Sequence, residues 1–212
     1  MCKKTILGDV NQLVNPFNKE SSYENIADIY EKLPKTKVTK MTLLKSYRST
    51  AEITEFAKKV IKNDKLQVIE RHGDKPDMIK CAGTEEQAGK IIDLAKEYTG
   101  RGFKSVGIIC KTDTQTRELY DILKTASRGA HCASADFDIT HLTAKSEKFD
   151  NKLIITTAYL AKGLEFDCVI LPEADKNNYK NEIDRQMLYI GITRALHKLT
   201  LLYTGEITGF LK

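Results

Sequence analysis

Six short runs rich in β-branched residues are strung between segments of helical periodicity, and that alternation limits the fold most. The runs are "LQVIE" at 66–70, "DMIKCA" at 77–82, "SVGIIC" at 105–110, "KLIITTA" at 152–158, "CVILP" at 168–172 and "KLTLLY" at 198–203. Several are apolar on both faces, as strands of a parallel sheet covered on both sides by helices must be. Between them lie three segments with helix-start signals. "STAEITEFAKKVI" at 49–61 pairs Ser49 with Glu52, the spacing of a capping box, and repeats Ile53, Phe56, Ala57, Val60 and Ile61 along one face. Thr84 with Gln87 and Thr112 with Gln115 offer the same start to "EEQAGKIIDLAKEY" and "DTQTRELYDILKTA". Strands alternating with helices predict an α/β fold with a mostly parallel sheet. Residues 127–151 are the least regular stretch and read as loop with one short strand near "DITHLTA".

The chain of 212 residues is long enough to bury a real core. No apolar run nears the ~20 residues of a membrane-spanning helix, so no membrane partner is expected. The apolar part of "MCKKTILGDV" is too short for a secretory signal. Five scattered cysteines without a Cys-x-x-Cys pair fit a reducing cytoplasm with structural thiols, and give no metal site. A formal charge of +5 permits contact with nucleic acid without demanding it.

The first forty residues differ from the rest. "KKTIL" reads as a single strand ending at Gly8-Asp9, and "SSYENIADIYEKL" as a helix closed by Pro34 and a Lys/Thr-rich connector. A lone strand before a helix suggests the tail of a preceding sheet, or an edge strand joining the main one.

Three segments interrupt core-like runs with charged or turn residues: "GDVNQ" at 8–12, "SYRST" at 46–50 and "AKGLEFD" at 161–167. In parallel α/β sheets ligands bind beyond the carboxyl ends of strands, and that rule assigns all three segments to such ends. Tyr47-Arg48 directly precedes a helix start, where anions are favoured. On a helix through "IDRQMLYIGITRA", Arg194 falls on the apolar line of Ile183, Met187 and Ile190. A guanidinium there either meets a partner in a crevice, as phosphate recognition requires, or snorkels at the helix end.

"GDVNQ", "LLKSYRST", "TAYLAKGLEFDCVILP" and "MLYIGITRA", in this order, resemble motifs III, IV, V and VI of superfamily 1 helicases of the UvrD/Rep type. The resemblance spans residues 8–195, and seven consecutive residues of "AKGLEFD" carry most of its specificity. It implies a RecA-like three-layer domain at 41–212, with residues 1–40 as the tail of a preceding RecA-like domain. It implies ATP with Mg²⁺ as cofactors, and as partners single-stranded DNA and the first RecA-like domain of the same parent chain. Residue by residue, Gln12 resembles the γ-phosphate sensor, Tyr47 the aromatic that stacks on adenine and Arg48 an arginine that reaches the γ-phosphate. Gly163 and Glu165 match the turn and acid that contact the ribose, and Arg194 the second arginine finger. Thr157 and Tyr159 match positions that touch the single-stranded DNA backbone.

The sequence departs from the family in three ways. No Gly-x-x-x-x-Gly-Lys-[Ser/Thr] and no strand followed by paired acids occur in it, so this chain alone is expected not to hydrolyse ATP. The interval 50–155 leaves no room for the bulky subdomain that larger members insert. Tyr159 stands where histidine is commoner, and the wording around it is similar to the HelD branch, whose members associate with bacterial RNA polymerase. A HelD-like ATPase that remodels or recycles RNA polymerase is therefore one alternative reading. A stand-alone binding module without catalysis is another.

Overall fold

The computed structural model describes residues 4–9, 12, 23–33, 37–63, 65–129, 138–146 and 152–212. Six strands form one sheet: β1 (Asp77–Cys81), β2 (Val106–Cys110), β3 (Ile139–His141), β4 (Leu153–Thr157), β5 (Phe166–Leu171) and β6 (Ala195–Thr204), in spatial order β1-β6-β5-β2-β4-β3. Every pairing is parallel, with Ile108 opposite both Ile155 and Ile170 at the centre. The helices are α1 (Tyr23–Glu31), α2 (Ala51–Ile61), α3 (Thr84–Gly100), α4 (Asp113–Gly129) and α5 (Glu182–Ile192).

Strand periodicity divides the core between the two faces. Ile109, Ile154, Val169, Leu171, Leu199 and Leu201 meet Ile53, Ala57 and Val60 of α2 and Leu188 of α5. Their neighbours Ile108, Ile155, Ile170 and Leu202 meet Ile91 and Tyr98 of α3 and Leu119 and Leu123 of α4. This is a RecA-like, three-layer α/β fold, as the two-faced apolar runs predict. Cys81, Cys110 and Cys168 are free and buried, and burial pushes all three thiols up, Cys168 to about 12. Cys2 and Cys132 lie outside the described residues. Among the described residues no helix is long and apolar enough to cross a membrane.

Several local expectations fail, each for a tertiary reason. "LQVIE" is not a strand. Only Gln67 bridges, to Lys45, because the flanking Met41 and Leu43 stand out in solvent with no sheet to join. "KKTIL" is not a strand either: residues 4–9 are irregular and Leu7 is 82% exposed. The box at Ser49 and Glu52 does not form. Thr50 is the N-cap of α2, Ser49 Oγ donates to the carbonyl of Ala195, and Glu52 accepts from the Gly73 amide. Gln87 likewise leaves the start of α3 to receive the Glu173 amide and to donate to Thr204. Thr112 and Gln115 do cap α4 reciprocally, and an unforeseen box at Asn181 and Asp184 opens α5. Finally, α5 stops at Ile192, so Arg194 lies beyond the helix, one residue before β6.

Candidate functional site

A cleft of about 600 Å³ opens between Ser46, Tyr47, Arg48, Arg71, Glu165 and Leu196. Its walls come from three distant parts of the chain. Ser49 supplies the first join, because its hydroxyl bonds the first carbonyl of β6 at 2.6 Å and draws "SYRST" onto that strand. Arg48 then reaches Glu165, Nε donating to Oε1 at 2.5 Å. Both side chains remain about two-fifths exposed, so this contact closes the cleft without anchoring the fold. Tyr47 is 68% exposed with its ring unburied. A large aromatic left in solvent at the mouth of a charged cleft is available for stacking.

Glu165 owes its position to the connection 158–165. The chain leaves β4, winds through tight turns with Ala161 N–H bonded to the Thr157 carbonyl and Leu164 N–H to the Ala161 carbonyl, and enters β5 at Phe166. Gly163 sits there at φ +96°, the left-handed region that side chains disfavour. No atom lies within 4 Å of a Cβ built on it, so conformation and not space selects glycine.

Arg194 is the largest fully buried side chain, at 1% exposure. Nε donates to the carbonyl of Ile190, Nη1 to that of Leu164 and Nη2 to Thr193 Oγ1, each at 3.2 Å. Carbonyls at the end of α5 carry the negative pole of its dipole and suit a cation. Burial, and then the neighbouring Arg48 charge, bring the guanidinium down to about 10, opposed by Glu165, Tyr189 and Asp9. It therefore stays charged at neutral pH. Arg194 does not snorkel, because it is buried, yet its partners are the end of α5, the Leu164 carbonyl and the Thr193 hydroxyl, so the helix dipole of the second sequence alternative accounts for part of its setting.

The structure thus gathers Tyr47, Arg48 and Glu165 into one cleft, with Arg194 behind its wall. Gln12 is linked to this group indirectly. Its Nε2 donates to Asp9 at 2.9 Å, and Lys162 Nζ donates to its carbonyl at 3.3 Å. Thr157 and Tyr159 lie apart, at the carboxyl end of β4. Thr157 is buried, its hydroxyl accepting from the Leu160 amide, whereas Tyr159 is exposed.

Glu165 and Arg194 precede β5 and β6, so the cleft lies at the amino ends of those strands. The carboxyl-end rule misplaces Glu165, the acid of "AKGLEFD", because it stands before β5 rather than directly beyond β4. Two lining residues escape the sequence reading altogether. Leu196 is the second residue of β6, and Arg71 sits in the irregular link after "LQVIE". The only local hint of Arg71 is a cation beside the Gly73 turn.

The described residues fit one side of a nucleotide: a ring to stack on, cations for phosphate and a carboxylate for hydroxyls. Among the described residues no group of three or more His, Cys, Asp or Glu could hold a metal ion, so none is assigned to magnesium.

The model of the UvrD-like helicase C-terminal domain matches residues 152–202. The solved C-terminal domain of a possible DNA helicase from Lactobacillus plantarun WCFS1 aligns at 30% identity and a TM-score of 0.64, over 78% of this chain and 92% of that one. Arterivirus nonstructural protein 10, a helicase solved with and without DNA, aligns at 14% identity and a TM-score of 0.36, over 62% of this chain and 28% of that one. Among curated proteins none matches. With that share of a solved domain matched, and with motif V and the start of β6 inside the matching family model, the chain belongs to the UvrD-like helicase C-terminal domains.

Proposed function

We propose that this chain is the nucleotide-closing half of an ATP-dependent DNA helicase or translocase. The carrying observation is the cleft at the amino ends of β5 and β6, where Tyr47, Arg48 and Glu165 converge in front of Arg194. ATP, held mainly by a first RecA-like domain together with Mg²⁺, supplies the free energy through transfer of its γ-phosphoryl group to water. Tyr47 stacks on the base. Glu165 takes the ribose hydroxyls once Arg48 turns from it to the phosphates. Arg194, itself buried, adds a fixed positive field from behind the wall. Gln12, tied to the motif V turn by Lys162, relays the occupancy of the site. Thr157 and Tyr159, at the opposite end of β4, take the single-stranded DNA backbone. Residues 1–40 form the tail of the first RecA-like domain and 41–212 the second.

Steady-state ATP hydrolysis by the full-length protein carrying this domain, with and without single-stranded DNA, tests the assignment. Arg48→Ala should lower the DNA-stimulated rate by roughly 100-fold or more, as loss of a charge-stabilising donor does, while fluorescent ATP analogues still bind. Arg194→Lys should do the same and keep the fold, since one ammonium can still reach a carbonyl. Full activity in either variant overturns the assignment. A rate indifferent to DNA but raised by RNA polymerase would transfer the same ATPase to polymerase remodelling.

A further inference from the structure

We propose that Arg71 is a positioning residue of the nucleotide cleft: it fixes the main chain at Arg48 and acts on the ligand through that residue. The inference rests on the nucleotide reading of the cleft, which says nothing of Arg71.

The link 67–73 clasps "SYRST" from both ends. At the front, Ser46 N–H donates to the Gln67 carbonyl at 3.1 Å and Gln67 N–H to the Leu44 carbonyl at 2.6 Å. At the back, Ala51 N–H, an orphan donor at the start of α2, finds the Arg71 carbonyl at 2.8 Å, and Gly73 N–H finds Glu52 at 2.9 Å. Between them, Arg71 Nη1 donates to the carbonyl of Arg48 at 2.8 Å. That bond holds the peptide between Arg48 and Ser49, next to the side chain that reaches Glu165.

Arg71 is itself held by His197. Its Nη2 stands 3.1 Å from both ring nitrogens. An in-plane donor equidistant from the two would collide with the carbon between them, so the guanidinium lies over the ring face. There it gains the attraction of a cation for a π system, and its planar fork serves the Arg48 carbonyl at the same time. His197 is braced in turn by Phe103, with centroids 5.9 Å apart, and by the Asp167 carboxylate at 4.0 Å. Asp167 accepts the amides of Lys104 and Ser105, so the chain of supports ends in the loop before β2. A lysine could reach the carbonyl or the ring, but it has no planar fork to satisfy both.

The test uses two readouts, amide exchange on the 212-residue chain and nucleotide titration of the full-length protein carrying this domain. Amide exchange of Ser46 and Ala51 reports positioning without any ligand. It should quicken about tenfold or more in Arg71→Ala, the change expected on losing one hydrogen bond from a charged donor, and less in Arg71→Lys, with the melting temperature little changed. Titration with a fluorescent ATP analogue reports the consequence. Arg71→Ala should weaken binding roughly tenfold in the wild-type background and less than about twofold in Arg48→Ala, since a residue acting through another is not additive with it. Unchanged exchange in Arg71→Ala overturns the positioning role. Binding losses that add overturn action through Arg48. If the wild-type full-length protein binds no analogue while exchange responds as expected, the nucleotide reading fails and the positioning of the segment stands.

Discussion

The two ends of the parallel sheet use the same side-chain types to opposite effect. At the carboxyl ends, Lys111 Nζ meets Asp184 Oδ1 at 2.6 Å and donates to the Asn178 carbonyl at 2.5 Å. Gln115 Nε2 bonds both Glu173 and Asn178. Asp184 receives the Lys180 and Asn181 amides as well, inside the cap of α5. That network is closed, with Asp184 buried and Lys111, Gln115, Glu173 and Asn178 half-buried. At the amino ends, Arg48 and Glu165 hold each other in solvent, Tyr47 has no cover, and Arg194 is shut behind them. Ion pairs that are dry and multiply bonded hold a fold, while wet single pairs can exchange partners with little cost to stability. The difference separates a network that maintains the domain from a cleft whose charges can change partners.

Breaking the closed end should have the largest effect. Asp184→Asn leaves the Lys111 charge half-buried without its counter-ion and removes one arm of the cap, and should cost about 3 kcal/mol in urea unfolding. Burial pulls the Asp184 carboxyl up, but the Lys111 hydrogen bond and the two amides prevail and hold it below 3.8. Its folded value is therefore lower than its unfolded one. The stability it confers is full above pH 3.8 and lost as pH falls through the folded value, so wild type and variant should converge in acid. A variant as stable as wild type at neutral pH would erase the contrast between the ends.

Next comes the packing of β2 against the start of β5, the strand that follows Glu165. A Cβ on Gly107 of β2 would stand 2.6 Å from the Phe166 ring at the start of β5. Gly107→Ala should cost about 2 kcal/mol through overpacking. A neutral result in thermal melts would mean that the core beside Glu165 is as yielding as the mouth of the cleft.

What the sequence discloses follows from the range of the interactions. Strands such as "SVGIIC" and "KLIITTA" were legible because burial on both faces is written into consecutive residues. The ring and charges of Tyr47, Arg48 and Glu165 were legible because each breaks such a pattern. Ser49 and Glu52 misled because their capping geometry is local, while the acceptor and donor that won, Ala195 and Gly73, come from elsewhere in the chain. Arg71 was invisible for the same reason: it touches Arg48, 23 positions away, and His197, 126 positions away. The end of the sheet that holds Glu165 was misassigned because the general rule reads loops after strands, and Glu165 stands before β5.

Two smaller effects sharpen the comparison. Burial, only partly offset by the Gln115 hydrogen bond, raises the Glu173 carboxyl above 4.5. Its folded value exceeds its unfolded one, so ionisation costs stability, and that cost appears as pH rises from 4.5 through the folded value. Glu173→Gln should remove this slope from a plot of stability against pH and match wild type in acid. At the open end Glu165→Gln should shift stability by no more than about 0.5 kcal/mol, because both partners of the Arg48 pair are wet. What little it contributes should vanish in about 1 M salt, where charges are screened within ~3 Å. The Asp184 deficit should survive the same salt, since its pair is out of reach of counter-ions. A salt-resistant loss at Glu165 would mean that the Arg48 pair is structural, and that the cleft is held closed rather than ready to open.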